Sequence, residues 1–135
     1  MVCVLDAIKA GTTAVIDHHA SPSFIKGSLN VLKSCFEKAG LRGILCYETT
    51  DRNGKDGTKE GVEENIEFAE NVDKDKTEGK RCLVEAAIGG HAPVTLDDEA
   101  LSMLADAIES TGRGIHIHVA EDRYDVSYSH DLYRK

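Results

Sequence analysis

The chain has no tryptophan, and its aromatic residues amount to three phenylalanines and four tyrosines in 135 residues. So sparse a set leaves no stacking platform for nucleic-acid bases. Positive charge is also short: 16 Lys and Arg stand against 24 Asp and Glu, a net charge of −8. With no basic patch to offset that excess, no nucleic acid is expected as a partner. No apolar run approaches the length of a membrane span, and Asp6 interrupts the apolar stretch near the N-terminus. Neither a membrane partner nor a secretory leader is therefore expected. Cys3, Cys35, Cys46 and Cys82 form no Cys-x-x-Cys pair. A disulfide framework is not expected, a reducing cytoplasm is the default location, and the thiols in apolar stretches read as small hydrophobes. The glycines never form Gly-x-Gly-x-x-Gly or a P-loop, so a nucleotide site has little support. No linker or low-complexity tract divides the chain, which has the length of one domain with a modest core.

Short apolar runs at residues 13–17, 41–47, 81–88 and 114–120 alternate with longer amphipathic stretches. Ile25, Leu29, Leu32 and Phe36 recur at helical spacing between Pro22 and Gly40. Val62, Ile66 and Ala69 mark one face of a helix over 60–72, and the charged stretch 71–80 reads as a solvated helix end and loop. Leu101, Leu104, Ala105 and Ile108 form the clearest stripe. Thr95 is read as its N-cap, with Asp97, Asp98 and Glu99 in the first turn and Gly112 after the end. A short helix from near Val2 closes at Ala10 and Gly11, and 122–134 is read as a last helix with a thin apolar face. Strands that are apolar on both faces and alternate with helices predict an α/β fold, a parallel sheet covered by helices.

The residues of chemical character fall at the C-terminal ends of those strands: His18 and His19, Glu48, His91, His118 and Glu121. Ligand sites in α/β folds gather at that edge. The most informative stretch is His116-Ile117-His118-Val119-Ala120-Glu121. Alternation puts His116 and His118 on one face of a strand, with Glu121 where the strand gives way to a loop. Neutral imidazole binds metals and a nearby carboxylate can move a proton, so the stretch offers a metal ligand and a general base. The plainer alternative is a histidine pair packed in a core. His91, in Gly89-Gly90-His91-Ala92-Pro93, can reach over the sheet edge to a substrate carbonyl or developing oxyanion, or be satisfied by local backbone. Asp17-His18-His19 resembles the signature of the DHH phosphoesterases, which bind manganese there. Those enzymes carry further Asp residues on earlier strands, and no such strand precedes this one. Glu48, Asp51 and Arg52 read as a solvated loop or as part of a substrate-contacting rim.

Gly11-Thr12-Thr13 before a strand, Gly90-His91-Ala92-Pro93 before a helix, and His116 to Glu121, taken in that order, resemble the amidohydrolase superfamily. Val15-Ile16-Asp17-His18-His19-Ala20-Ser21-Pro22 and Cys46-Tyr47-Glu48-Thr49-Thr50-Asp51-Arg52 place the resemblance in its aminohydrolase branch. That branch holds cytosine and guanine deaminases and triazine chlorohydrolases, and the resemblance is closest to the SsnA aminohydrolases. It implies a (β/α)8 barrel of which residues 1–135 are an incomplete part, four to five βα units at about strands two to five. It implies a divalent metal, zinc first with iron or manganese as alternatives, bound by His118. Glu121 would be the acid/base that takes a proton from water and passes it to the leaving group, and His91 would steer a small-molecule substrate. His116, His19 and Glu48 would support the site or line its rim. The implied reaction is hydrolysis of a C–N bond, deamination-type, in a heterocyclic or amidine-like substrate. The family's first-strand His-x-His, sixth-strand His and eighth-strand Asp have no counterpart here. On its own the chain is therefore expected to bind metal poorly, to catalyse little, and to self-associate or require the remainder of a barrel. An inactive barrel fragment acting only through association, and a DHH-type phosphoesterase, are the alternatives.

Overall fold

The computed structural model describes residues 1–133. Helix α1 (Val2–Lys9) leads into strand β1 (Ala14–His19), followed by α2 (Ser28–Ala39) and β2 (Arg42–Tyr47). A 3₁₀ turn (Asp51–Asn53) and the long α3 (Gly54–Thr77) precede β3 (Val84–Ala86) and β4 (Ile88–Gly89). A second 3₁₀ turn (Pro93–Thr95), α4 (Asp98–Thr111), β5 (Ile115–His116) and α5 (Arg123–Tyr133) complete the order. All pairings are parallel: β1 with β2, β2 with β3, and β4 with β5. The alternation of strand and helix is the one read from the sequence. Arg134, placed there at the end of the last helix, lies outside the described residues.

Strands β3 and β4 are one strand in two parts, and the interruption has a cause. Leu45 pairs with Ala86, and the Ala87 N–H still donates to the Leu45 carbonyl at 3.0 Å. One step further the strands part, and the side chain of Asn65 from α3 fills the gap. Its Oδ1 accepts from the N–H groups of Tyr47 (2.8 Å) and Gly89 (3.2 Å). Its Nδ2 donates to the carbonyls of Tyr47 (3.0 Å), Gly61 (3.0 Å) and Gly89 (3.4 Å). Pairing resumes at Thr49, which donates to the Gly89 carbonyl at 3.2 Å and accepts from the His91 N–H at 2.9 Å. Buried backbone groups must be paired, and here a side-chain amide does what a strand neighbour otherwise would. Gly89 is obligatory, since a Cβ there would stand 2.1 Å from the Tyr47 carbonyl oxygen.

The helices cover only one face of the sheet. Leu29, Phe36, Leu45, Tyr47, Phe68, Val72 and Val84 form one buried cluster, and Val62, Ile88, Leu96, Ala100, Leu104 and Ala107 a second. The strand residues in both point toward the helices. Residues of opposite parity, Ile16 at 62% and Ile44 at 38% exposure, have no helix over them. The expectation of a sheet covered by helices thus holds for one face, and the curved inner face is open.

Several boundaries differ from the sequence reading. Asp97, not Thr95, caps α4: its carboxylate accepts from the Ala100 N–H at 2.9 Å, while Thr95 closes the preceding 3₁₀ turn. The stripe alone does not separate these two, because both offer a side-chain oxygen one turn from its start. Helix α2 begins at Ser28, and Ile25 is buried ahead of it. Helix α3 extends beyond 60–72 at both ends, through residues that carry no apolar stripe. Strand β5 ends at His116, although the His118 N–H still donates to the His91 carbonyl at 2.9 Å.

Helix α2 has no side-chain cap of its own. Glu64, 1% exposed, supplies one from α3, accepting from the N–H groups of Gly27 (2.6 Å) and Leu29 (2.9 Å). Burial raises its pKa, and those two hydrogen bonds oppose the rise. Both carboxylate oxygens face donors, so Glu64→Gln must turn an amide N–H₂ onto a backbone N–H. That substitution is expected to lower the unfolding free energy by about 1–3 kcal/mol, measured by urea denaturation at pH 7.

Candidate metal centre

Side chains alternate along a strand, and one parity carries almost all the chemistry. Ile16 and His18 of β1, Ile44 and Cys46 of β2 with Glu48 beyond it, His91 after β4, and His116 of β5 with His118 beyond it share the open inner face. The His18 ring lies 4.5 Å from that of His116 and 4.9 Å from that of His118, centroid to centroid. The rings of His91 and His118 are 5.7 Å apart. His18 Nε2 is 3.9 Å from Glu48 Oε2, and its Nδ1 is 4.0 Å from Cys46 Sγ. Arg52 holds the other Glu48 oxygen at 3.3 Å.

Two sets of donor atoms come within 4.8 Å of one another: His18, Glu48 and His118, and His18, Cys46 and His116. The His18 side chain is 10% exposed, and its Nε2, like Nδ1 of His116, is buried with no hydrogen-bond partner among the described residues. Buried imidazole nitrogens without partners, next to a carboxylate and a thiol, are what a divalent cation requires of its surroundings. The residues fit a divalent metal.

Burial, and then the neighbouring His116, His118 and His91, lower the His18 pKa from 6.5 to about 4. Between those values the unfolded chain binds a proton at His18 and the folded chain does not. Stability without metal is therefore expected to fall as pH drops from about 6.5 to about 4. His18→Gln should remove that slope, read from urea midpoints at pH 7 and pH 5.

The other residues singled out from sequence are placed as follows. His91 Nδ1 lies 2.8 Å from Thr95 Oγ1, and that hydroxyl donates to the Ala92 carbonyl at 3.0 Å. The single hydroxyl proton being used, His91 must donate from Nδ1, which leaves Nε2 with its lone pair toward the site. His19 has the opposite parity and stays outside the cluster, donating from Nε2 to Ser21 Oγ at 2.9 Å beside the Tyr47 ring. Glu121 is exposed, and among the described residues it makes no ion pair with the cluster. It follows Ala120, the one non-glycine residue at positive φ (55°) among those described. Such a conformation is strained and turns the chain out of the strand line immediately before the carboxylate. Of Asp17-His18-His19, only His18 enters the cluster.

Two contributors escaped the sequence reading. Cys46 was read as a small hydrophobe, yet it sits two residues before Glu48 on the same face. Asn65 lay within a charged helix; its signal was a polar residue between Val62 and Ile66 on the buried side.

A histidine-rich candidate metal centre on the inner face, at the C-terminal edge of a parallel strand–helix array, defines the class: part of a (β/α)8-type barrel with donor atoms placed for a divalent cation. Residues 2–135 match the amidohydrolase family, and the chain belongs to it. Amidohydrolases are hydrolases, and the family inferred from the sequence motifs is the one found. A 5-methylthioadenosine/S-adenosylhomocysteine deaminase of Pelotomaculum thermopropionicum is 29% identical over 126 residues, 93% of this chain and 26% of that protein. A deaminase of the same description from Desulfitobacterium hafniense is 32% identical over 132 residues, 96% of this chain and 27% of that protein. Among solved structures, an adenosine deaminase of Xanthomonas campestris with bound zinc superposes with a TM-score of 0.73 at 18% identity. That match covers 97% of this chain and 28% of the other. The chain thus spans less than a third of the length of the relatives it matches, and its fold is an incomplete barrel of the amidohydrolase type.

Proposed function

We propose that residues 1–135 form the part of a metal-dependent aminohydrolase barrel at about strands two to five, and that the reaction is hydrolytic deamination of a 6-aminopurine nucleoside. The observation that carries this reading is the convergence of His18, Glu48 and His118 donors within 4.8 Å at the rim of an amidohydrolase chain. The deaminase relatives support the substrate class.

His118, His18 and Glu48 would hold the metal, and zinc suits two imidazoles and a carboxylate. When bound, the cation supplies Lewis acidity, making water a competent nucleophile near neutral pH. Glu121 takes a proton from the attacking water and returns it to the departing amine, so that water and amine are exchanged for a hydroxyl or oxo group and ammonia. His91, with Nδ1 committed to Thr95, accepts a substrate N–H or O–H at Nε2 and so orients the ring. Arg52 restrains Glu48 from the outside.

The test is ammonia release by the zinc-loaded chain from 5-methylthioadenosine, S-adenosylhomocysteine and adenosine, with Glu121→Gln and His118→Ala alongside. Zinc-dependent release that both variants abolish supports the reading. Absence of release together with self-association in solution favours an association-only fragment, a second reading suggested by the open Ile16 and Ile44 face.

A further inference from the structure

The rim site uses one edge of the His18 ring and leaves the other facing a different donor set. Cys46 and His18 are direct register partners on β2 and β1, so parallel pairing alone sets their side chains abreast on the inner face. Cys46 Sγ lies 4.0 Å from His18 Nδ1, and one donor atom each from His18, Cys46 and His116 falls within 4.8 Å of the others. Cys46 is fully buried, the His18 side chain is 10% exposed, and His116 Nδ1 is buried with no partner. Apart from His18, the thiol has a long contact with the Asp17 carbonyl, at 3.5 Å. The space beside the sulfur is kept clear by Gly89, where a Cβ would stand 3.0 Å from Sγ.

We infer that Cys46, His116 and His18 form a second metal site, deeper than the rim site and sharing His18 with it, for a borderline or soft divalent cation of the zinc class. One sulfur and two nitrogens are the wrong donors for magnesium or calcium, which take oxygen ligands, and suit zinc or cobalt. Binding converts the thiol to a thiolate, with the proton leaving to solvent and the Asp17 contact given up. Three protein ligands leave a fourth position open. With both sites filled, His18 would serve one through Nδ1 and the other through Nε2, and its ring N–H proton would also leave to solvent, giving an imidazolate.

The experiment uses Co²⁺ as the probe on the full 135-residue chain. The wild type is expected to show a near-ultraviolet thiolate-to-cobalt charge-transfer band. Cys46→Ser and His116→Ala should each lose that band together with one bound Co²⁺ per chain, whereas His118→Ala should keep it. X-ray absorption on the zinc-loaded wild type needs no variant, and should find a sulfur at about 2.3 Å, one per two zinc ions when both sites are filled, with nitrogens at about 2.0–2.1 Å. A wild type that takes up no Co²⁺, a zinc shell of nitrogen and oxygen alone, or a band that persists in Cys46→Ser overturns the inference. His118→Ala separates this site from the rim reading, because it removes a ligand of the rim set alone and leaves the sulfur band in place.

Discussion

Asn65→Ala is expected to lower the unfolding free energy by about 3 kcal/mol or more, among the largest single-residue losses for a chain of this size. The side chain is fully buried and joins β2 and β4 where their own hydrogen bonds fail. Its removal takes away the acceptor of the buried Tyr47 and Gly89 N–H groups, while the Tyr47 carbonyl keeps the Thr49 N–H at 3.0 Å. Each buried group left unpaired costs about 1–3 kcal/mol, and two are exposed to that cost at once. Asn65→Leu, which restores volume, should recover little, because the loss comes from hydrogen bonds and not from packing. Urea denaturation with matched m-values measures the effect. Because Glu48 follows Tyr47 and His91 follows Gly89, the same substitution should also loosen the rim, seen as weaker zinc binding.

On the proposed deaminase reading, Glu121→Gln in a completed barrel is expected to reduce ammonia release about 10²–10⁴-fold in kcat, with KM and zinc stoichiometry little changed. Glutamine keeps the shape of the carboxylate and can neither take the proton from water nor return it to the amine. His118→Ala should abolish release by another route, the loss of zinc, so metal analysis distinguishes the two variants. Its exposed position beyond the Ala120 turn makes Glu121 unnecessary to the core. Glu121→Gln should therefore leave the unfolding midpoint unchanged, separating a catalytic role from a structural one.

The histidines show how far pattern carries. His91 was singled out in the Gly-Gly-His-Ala-Pro loop past one apolar run and His118 in a His-x-His near the end of another, and the structure places both rings at the cluster. His116 was tied to His118 by its period of two, and the rings do share a face. His19 was grouped with His18 because they are adjacent in sequence, but adjacency along a strand means opposite faces, and only His18 turns inward. Cys46 was obscured by its apolar neighbours Ile44 and Leu45, since a thiol carries no hydropathy signal distinguishing a ligand from filler. Asn65 and Glu64 were obscured by the acidic composition of α3. A buried polar residue in a charged helix cannot be told from its solvated neighbours until the facing strand is known.

By itself, the amino-acid sequence determined the strand–helix alternation, the family, and the edge at which the chemistry gathers. These depend on short-range periodicity and on local motifs, which operate within a few residues. Tertiary structure alone decided that His18 meets residues 116 and 118 from a strand about a hundred positions away. It also decided that one face of the sheet stays open, that a glutamate of α3 caps α2, and that an asparagine repairs the sheet. Each of these joins groups far apart in the chain through strand register and helix docking, and no local pattern encodes the distance between two elements that meet only when packed.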